Sequence, residues 1–530
     1  MARCILLKID KRKVFIMRES GILCPISSIW SRYGIGCFSK EAYDFVDFLK
    51  ESGQSYWQVL PFGPTGFGDS PYQSFSTFAG NPYFICPDDL VKDGLLMQHE
   101  LDQFDFGSDV EAVDYGALYN NRFKMLEIAY GRFKKNPDPE FEDFKEENKE
   151  WLDDYGLYMA LKYANKGKAW IEWDAPLRTR DEKALEEALL EYADVIGFYA
   201  FQQYEFMKQW KKLRAYANEN GIKIIGDIPF YTAFDSADTW SNPKMFLFDK
   251  DNIPTKVAGC PPDAFSADGQ LWGNPIYNWS YLKKTKYAWW IARIKHNLEF
   301  CDVLRVDHFR AFDEYYEIPY GEKTAKNGKW VKGPGMALFR AVKKELGDVE
   351  IIAEDLGYIT ESVKKLVKDT GYPGMKVLQF AFDSREESDY LPHNYDHNCV
   401  VYTGTHDNET TRGWIENIVD QDRDFARRYI NSIHTDYGAF TWDFIRCAQA
   451  CVADLCIVPI QDYLVKGNEA RINHPSTLGT NWQWRIKPNF LSRELAKSIH
   501  DMTELYCRIP KVKEEAGDTE KEEKDKEKDK

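Results

Sequence analysis

The chain has 530 residues and a formal net charge of −16, a balance that argues against nucleic acid or an anionic membrane surface as a partner. No apolar run approaches the roughly 18 residues needed to span a bilayer, and the opening MARCILLKIDKRKVF is no secretory signal, so a cytoplasmic location is expected. Eleven cysteines, an odd number without a CxxC pair, read as reduced thiols rather than disulfides or structural zinc.

In chain order, residues 1–17 form an expected leader and 18–36 (RESGILCPISSIWSRYGIG) a loop rich in Gly, Ser and Pro. Residues 40–53 carry a helix pattern stopped by glycine. YWQVLP, from Tyr56, is the first buried strand and opens into a long turn-rich loop; NPYFICP, residues 81–87, reads as another short strand. From about 88 to 194, charged and aromatic helical segments predict a helical insertion, and a long helix runs on to about residue 220. IKIIGDIPF, residues 222–230, is a buried strand with Asp227 near its end. Residues 231–300 form a second excursion that includes a Pro/Gly-rich loop at 258–279, of a length that is usually functional.

Strand and helix then alternate: DVLRVDHF, a helix at 335–347, EIIAEDLG, a helix at 360–371, MKVLQFAFD, CVVYTGTHD, helices at about 420–456, and IVPIQDYL. Such alternation predicts an α/β fold with a parallel sheet, and eight candidate strands fit a (β/α)8 TIM barrel. There is no β-rich C-terminal third. The expected organisation is one catalytic barrel over 18–510 with insertions at about 88–194 and 231–300. The tail from 511 to 530 is almost wholly Lys, Glu and Asp, and disorder is expected of it.

Three apolar runs end in a carboxylate, at Asp307, Glu354 and Asp407. Charged side chains just past parallel strands collect at the C-terminal face, where α/β barrels hold their active sites. Arg305 lies two residues before Asp307, so both face one way on the strand and the guanidinium favours the ionised carboxylate. That suits a nucleophile, and it equally suits a structural ion pair. Glu354 and Asp355 point to opposite sides; one can be a general acid, and Asp355 reads better as the cap of the next helix. Asp407, beside His406, could stabilise a cationic transition state, or it and Asn408 could cap the helix that begins near ETTRGW. Metal catalysis is not expected, since neither HExxH nor an early HxH occurs, and no phosphate-cradling glycine motif leads into a helix.

Taken together, SGIL…SRYGIG, WQVLP, SPYQ, GDIP, PPDAFSADGQLWGNP, RVDHFR, AEDLG, THDNET and NWQWR closely resemble the amylomaltase or disproportionating-enzyme family, the 4-α-glucanotransferases of glycoside hydrolase family 77. The likeness runs from about residue 18 to 485. It implies a (β/α)8 barrel interrupted by helical subdomains, without the C-terminal β-domain of typical α-amylases. It also implies Asp307 as nucleophile, Glu354 as general acid/base and Asp407 as transition-state stabiliser of a retaining transfer. Tyr72, Asp227, Trp272, Arg305, His308 and His406 would bind sugar, and residues 258–279 would form a mobile loop over the acceptor side. The implied partners are α-1,4-glucans (maltooligosaccharides, starch or glycogen), with no cofactor. The stretch NHPSTLGTN, residues 473–481, matches the family only loosely. An α-1,4-glucan hydrolase on the same barrel, or a non-catalytic glucan-binding protein, are the competing expectations.

Overall fold

The computed structural model describes residues 18–510 except 67, 263–265 and 358. The expected leader and charged tail lie outside the described residues.

Twelve strands form two sheets among the described residues. In chain order they are β1 (Glu19–Leu23), β2 (Tyr56–Gln58), β3 (Lys223–Ile228), β4 (Lys256–Cys260), β5 (Gln270–Pro275), β6 (Val303–Val306), β7 (Glu314–Pro319), β8 (Lys329–Lys332), β9 (Ile351–Ala353), β10 (Gly374–Val377), β11 (Cys399–Tyr402) and β12 (Leu455–Pro459). The strands β1, β2, β3, β6, β9, β10, β11 and β12 pair in parallel in that sequence, and β12 closes on β1 to complete an eight-stranded barrel. Helices such as Lys40–Glu51, Ala193–Glu219, Ala288–Phe300 and Met336–Leu346 lie in the connections. The β10–β11 connection departs from strict alternation: it holds only the short 3-10 turns Leu378–Ala381 and Pro392–Asn394.

Inside the barrel, Leu23, Tyr56, Ile225, Val303, Ile352, Met375, Val377, Val400, Tyr402 and Ile457 form one buried cluster. Since side chains alternate along a strand, the inward parity of Val303 continues to Arg305 and Asp307, that of Ile225 to Asp227, and that of Ile352 to Glu354. Three carboxylates are therefore delivered to one rim by strand period alone. At the floor beneath them the Tyr402 hydroxyl donates to Gln58 Oε1 at 2.9 Å.

The number of barrel strands agrees with expectation, but one member differs. NPYFICP is not a strand. Pro82–Phe84 is a 3-10 turn, capped by the Asn81 side chain accepting from Tyr83 N–H, and a helix starts at Pro87. The eighth strand is instead β1, ESGIL, inside the stretch expected to be a loop. Its glycine has a packing reason: a Cβ on Gly21 would lie 2.6 Å from Tyr56 Cβ and 2.7 Å from Ile457 Cδ1.

The expected loop at 258–279 is also more ordered than its Pro/Gly content suggests. β4 and β5 pair as an antiparallel hairpin, and with β7 and β8 they make a four-stranded sheet. A Cβ on Gly259 would meet Gln270 O at 2.1 Å, so that glycine permits the close approach of the two strands. Between Pro87 and Glu191 the regular elements are all helices, separated by irregular stretches such as 102–114, and they lead into the 27-residue helix Ala193–Glu219, which packs closely against Lys149–Ala164.

Candidate active site

Asp307 follows β6 directly, and its N–H donates to Ile228 O on β3 at 3.0 Å. Glu354 follows β9 and donates its N–H to Val306 O at 3.1 Å, so register sets the two acids on neighbouring strand ends. His308, between them in space, adopts the left-handed region at φ 50°. A non-glycine residue is uncommon there. The turn aims the His308 N–H at Glu354 Oε2, 2.6 Å away, while Leu356 N–H donates to Oε1 at 2.8 Å.

Arg305 organises the charge. Its Nη1 contacts both oxygens of Asp227 at 2.7 Å, and its Nη2 reaches Asp307 Oδ1 at 3.2 Å. The Tyr72 hydroxyl donates to Asp227 Oδ2 at 2.7 Å, leaving the Asp227 side chain 0% exposed. Asp307 retains 29% of its side-chain surface and Asp407 43%, so both face the opening. Burial raises the Asp307 pKa to about 7; Arg305 opposes this and the charge of Glu354 adds to it. Glu354 is also raised by burial, against Arg305 and its two backbone donors.

Asp407 is the opposite case. Burial pushes its pKa up, but His406 and the Asn473 side chain outweigh it and hold it at about 2. Asn473 Nδ2 donates to Asp407 Oδ1 at 2.7 Å, Arg471 Nη2 donates to its carbonyl at 2.7 Å, and His406 Nε2 lies 3.4 Å from Oδ2. Burial acts to lower the His406 pKa, yet the Asp407 charge wins and raises it. The His406 ring stacks on Tyr72 at 5.1 Å and 16°, with Trp482 6.1 Å from His406. Trp272, on β5, meets His308 edge-on at 5.0 Å. Burial, then Arg310, lowers His308 to about 3, so that ring is neutral.

Against this geometry, the comparisons with known proteins agree. A family model described as 4-alpha-glucanotransferase matches residues 24–492. The chain belongs to the 4-alpha-glucanotransferase family. It is 51% identical over 485 residues to a 4-alpha-glucanotransferase of Clostridium butyricum, covering 91% of this chain and 99% of that one. With a 4-alpha-glucanotransferase of Thermus thermophilus it shares 45% over 505 residues, covering 93% and 99%. Among solved structures, the amylomaltase from Streptococcus agalactiae in complex with acarbose superposes with a TM-score of 0.90 at 42% identity, covering 93% of this chain and 99% of that one. An amylomaltase from Corynebacterium glutamicum, at 17% identity and a TM-score of 0.70, shares the fold; 93% of this chain and 74% of that one are covered.

All nine residues that the sequence singled out gather at this rim, but not all in the same way. Asp227 and Arg305 are buried and bonded to each other, so their reach to a sugar runs through Tyr72 and Asp307. Neither Asp407 nor Asn408 caps the following helix: Thr410 does, its side chain accepting from Gly413 N–H, while Asn408 Oδ1 accepts from Thr405. Asp355 caps no helix either. It accepts from Met375 N–H at 2.7 Å, bridging β9 to β10, and Thr360 caps the helix Glu361–Thr370. Sequence reasoning missed Asn473, Arg471 and Trp482, which reach the rim from the loop after β12. Asn473 lies in the loosely matching NHPSTLGTN and Trp482 in NWQWR, one of the stretches that carried the family likeness, but neither stretch gave a role to any of the three. Among the described residues, no group of three or more His, Cys, Asp and Glu could hold a metal ion.

Proposed function

We propose that this chain, a member of the 4-alpha-glucanotransferase family, transfers α-1,4-glucan segments by retaining double displacement, with Asp307 as nucleophile, Glu354 as acid/base and Asp407 as electrostatic partner. The supporting observation is the placement of three acids on one rim: Asp307 and Glu354 on neighbouring strand ends, both raised by burial, beside an Asp407 held down by His406 and Asn473. In the first step Glu354 gives its proton to the glycosidic oxygen while an Asp307 oxygen attacks the anomeric carbon. The leaving glucan departs with that proton and a β-linked glycosyl ester remains. In the second step Glu354 takes the proton of an acceptor 4-hydroxyl, whose oxygen displaces Asp307 and restores the α linkage. A retaining pair of this kind requires carboxyls roughly 5–5.5 Å apart. Asp407, ionised at working pH, stabilises the oxocarbenium-like transition state.

The Tyr72–His406 stack gives one sugar-ring face an apolar platform, and Trp272 offers a second from the β4–β5 hairpin. That hairpin would hold the acceptor and exclude water, which favours an alcohol over hydrolysis. The donor and acceptor are α-1,4-glucans of the maltooligosaccharide, starch or glycogen type. Residues 18–510 act as one catalytic unit, with the insertions at about 88–194 and 231–300 shaping the cleft. No described helix is long and apolar enough to cross a membrane. Incubation with maltotriose tests the proposal. Transfer yields glucose and a ladder of longer oligosaccharides at constant total reducing ends. Reducing ends that rise with time and no longer products would point to hydrolysis, and no turnover to a binding protein.

A further inference from the structure

The rim carries one buried acid that the reaction does not use. Asp462, in the short helix Ile460–Tyr463 after β12, is 1% exposed and, among the described residues, forms no ion pair. Isolated buried carboxylates are costly unless their hydrogen bonds are complete. Asp462 accepts three: from Thr403 Oγ1 at 2.6 Å, from Thr411 Oγ1 at 2.6 Å and from Thr411 N–H at 2.7 Å. Thr403 directly follows β11, and Thr411 opens the helix Thr411–Asn417. One carboxylate therefore ties together the two ends of the segment 403–411, and that segment carries His406 and Asp407.

We infer that Asp462 is the positioning residue for Asp407: it closes the base of this segment and so fixes where the Asp407 carboxylate sits at the barrel mouth. This rests on the reading of Asp407 given above. The two hydroxyls converge on a single oxygen, Oδ2, and the amide addresses the other. A carboxylate can accept all three. An asparagine must turn its amide NH2 toward either the two hydroxyls or the Thr411 N–H, so at least one bond breaks or reverses. From the far side, Asn473 and Arg471 hold Asp407 itself, but they do not restrain the ends of the segment. Loss of the clamp leaves Tyr72 and Trp272 in place, and His406 stays packed against Tyr72 and Trp482 with its carbonyl bonded to Asn473 N–H, while the more exposed Asp407 drifts. The expected signature is a fall in kcat with little change in KM. Misplacement by about 1 Å can lower turnover on the order of 100-fold.

The test is maltotriose disproportionation by Asp462→Asn, Asp407→Asn and the double variant, with Thr403→Val and Thr411→Val as milder cuts that spare the Thr410 cap. Expected are a kcat loss of about 10- to 100-fold for Asp462→Asn with KM within about twofold, smaller losses for the threonine variants, and no further loss when Asp462→Asn is added to Asp407→Asn. Equal losses in both backgrounds, or threonine variants and Asp462→Asn that turn over as wild type, would overturn the inference. If Asp462→Asn does not fold, the threonine variants and their own doubles with Asp407→Asn decide it. Full activity of Asp407→Asn alone would instead remove the proposed role of Asp407.

Discussion

Replacing Arg305 by methionine separates what this guanidinium does for stability from what it does for chemistry. The side chain is almost wholly buried and satisfies an Asp227 carboxylate that is 0% exposed. Removing one partner of such a pair strands the other charge, at roughly 3–5 kcal/mol. Unfolding entropy of about 2.1 cal/mol/K per residue gives roughly 1 kcal/mol/K for a chain of this size, so Tm should fall by about 3–5 °C. Arg305→Met/Asp227→Asn should recover most of that loss, because a neutral buried replacement is often tolerated and Tyr72 can still donate to the amide oxygen. Activity should not recover. Two unit charges about 4 Å apart interact by about 4 kcal/mol at an effective dielectric near 20, and even a third of that is about one pKa unit. Asp307, already raised to about 7, would then ionise only at higher pH, and the acid limb of the pH–rate profile should move up by a unit or more. Calorimetry and glucose release from maltotriose across pH measure both effects. A single variant that melts within 1 °C of wild type, or a double variant no more stable than the single, would refute the reasoning.

Asp307→Asn should be inactive yet more stable than wild type at pH 8. An acid raised to about 7 contributes stability that is complete below the unfolded pKa, near 4, and is lost as pH rises through 7. The gain in Tm should therefore shrink toward pH 4, and a variant less stable at pH 8 would contradict the raised pKa. Glu354→Gln should lower kcat by about 10²- to 10⁴-fold and remove the alkaline limb of the profile; retention of that limb would assign the acid elsewhere. Gly21→Ala should destabilise by about 1–3 kcal/mol through overpacking against Tyr56 and Ile457. Gly131→Ala, in the helix Tyr115–Phe133 with nothing within 4 Å of the added Cβ, should instead stabilise by about 0.5–1 kcal/mol. A denaturant melt in which Gly21→Ala costs nothing would place β1 outside the barrel wall, and a destabilised Gly131→Ala would contradict the open space at that helix position.

The strands legible from the chain are those that are apolar on both faces, because a buried parallel strand has no alternation to dilute it. KIIGDI, VLRV, CVVY and LCIVP announce themselves, and the acids after VLRV and IIA follow from period 2. ESGIL does not, since its glycine is chosen for contact with Tyr56, a neighbour that only the closed barrel supplies. NPYFICP misled for the converse reason: its apolar content serves the interface beneath a capped turn. The roles of Asn473 and Asp462 were not legible because their partners lie 66 and 59 positions away and a lone polar residue has no pattern.

In the proposed mechanism, the division of Arg305 between two acids bears on how Asp307 would serve as the nucleophile. Had the two 2.7 Å contacts gone to Asp307, that carboxylate would be fully ionised but held by its counterion, and weakly nucleophilic. Instead the close contacts go to the sealed Asp227, and Asp307 receives one longer contact at 3.2 Å. Burial and Glu354 then raise its basicity into the neutral range. A more basic carboxylate attacks carbon more readily and leaves less readily, so the same arrangement should lengthen the life of the glycosyl ester. A long-lived ester gives an acceptor glucan time to bind beneath the β4–β5 hairpin before the bond is remade, provided water is kept out. On this argument, transfer depends on the carboxylate being under-compensated as much as on the lid. Adding positive charge beside Asp307 should shift product distribution toward shorter chains even if turnover survives.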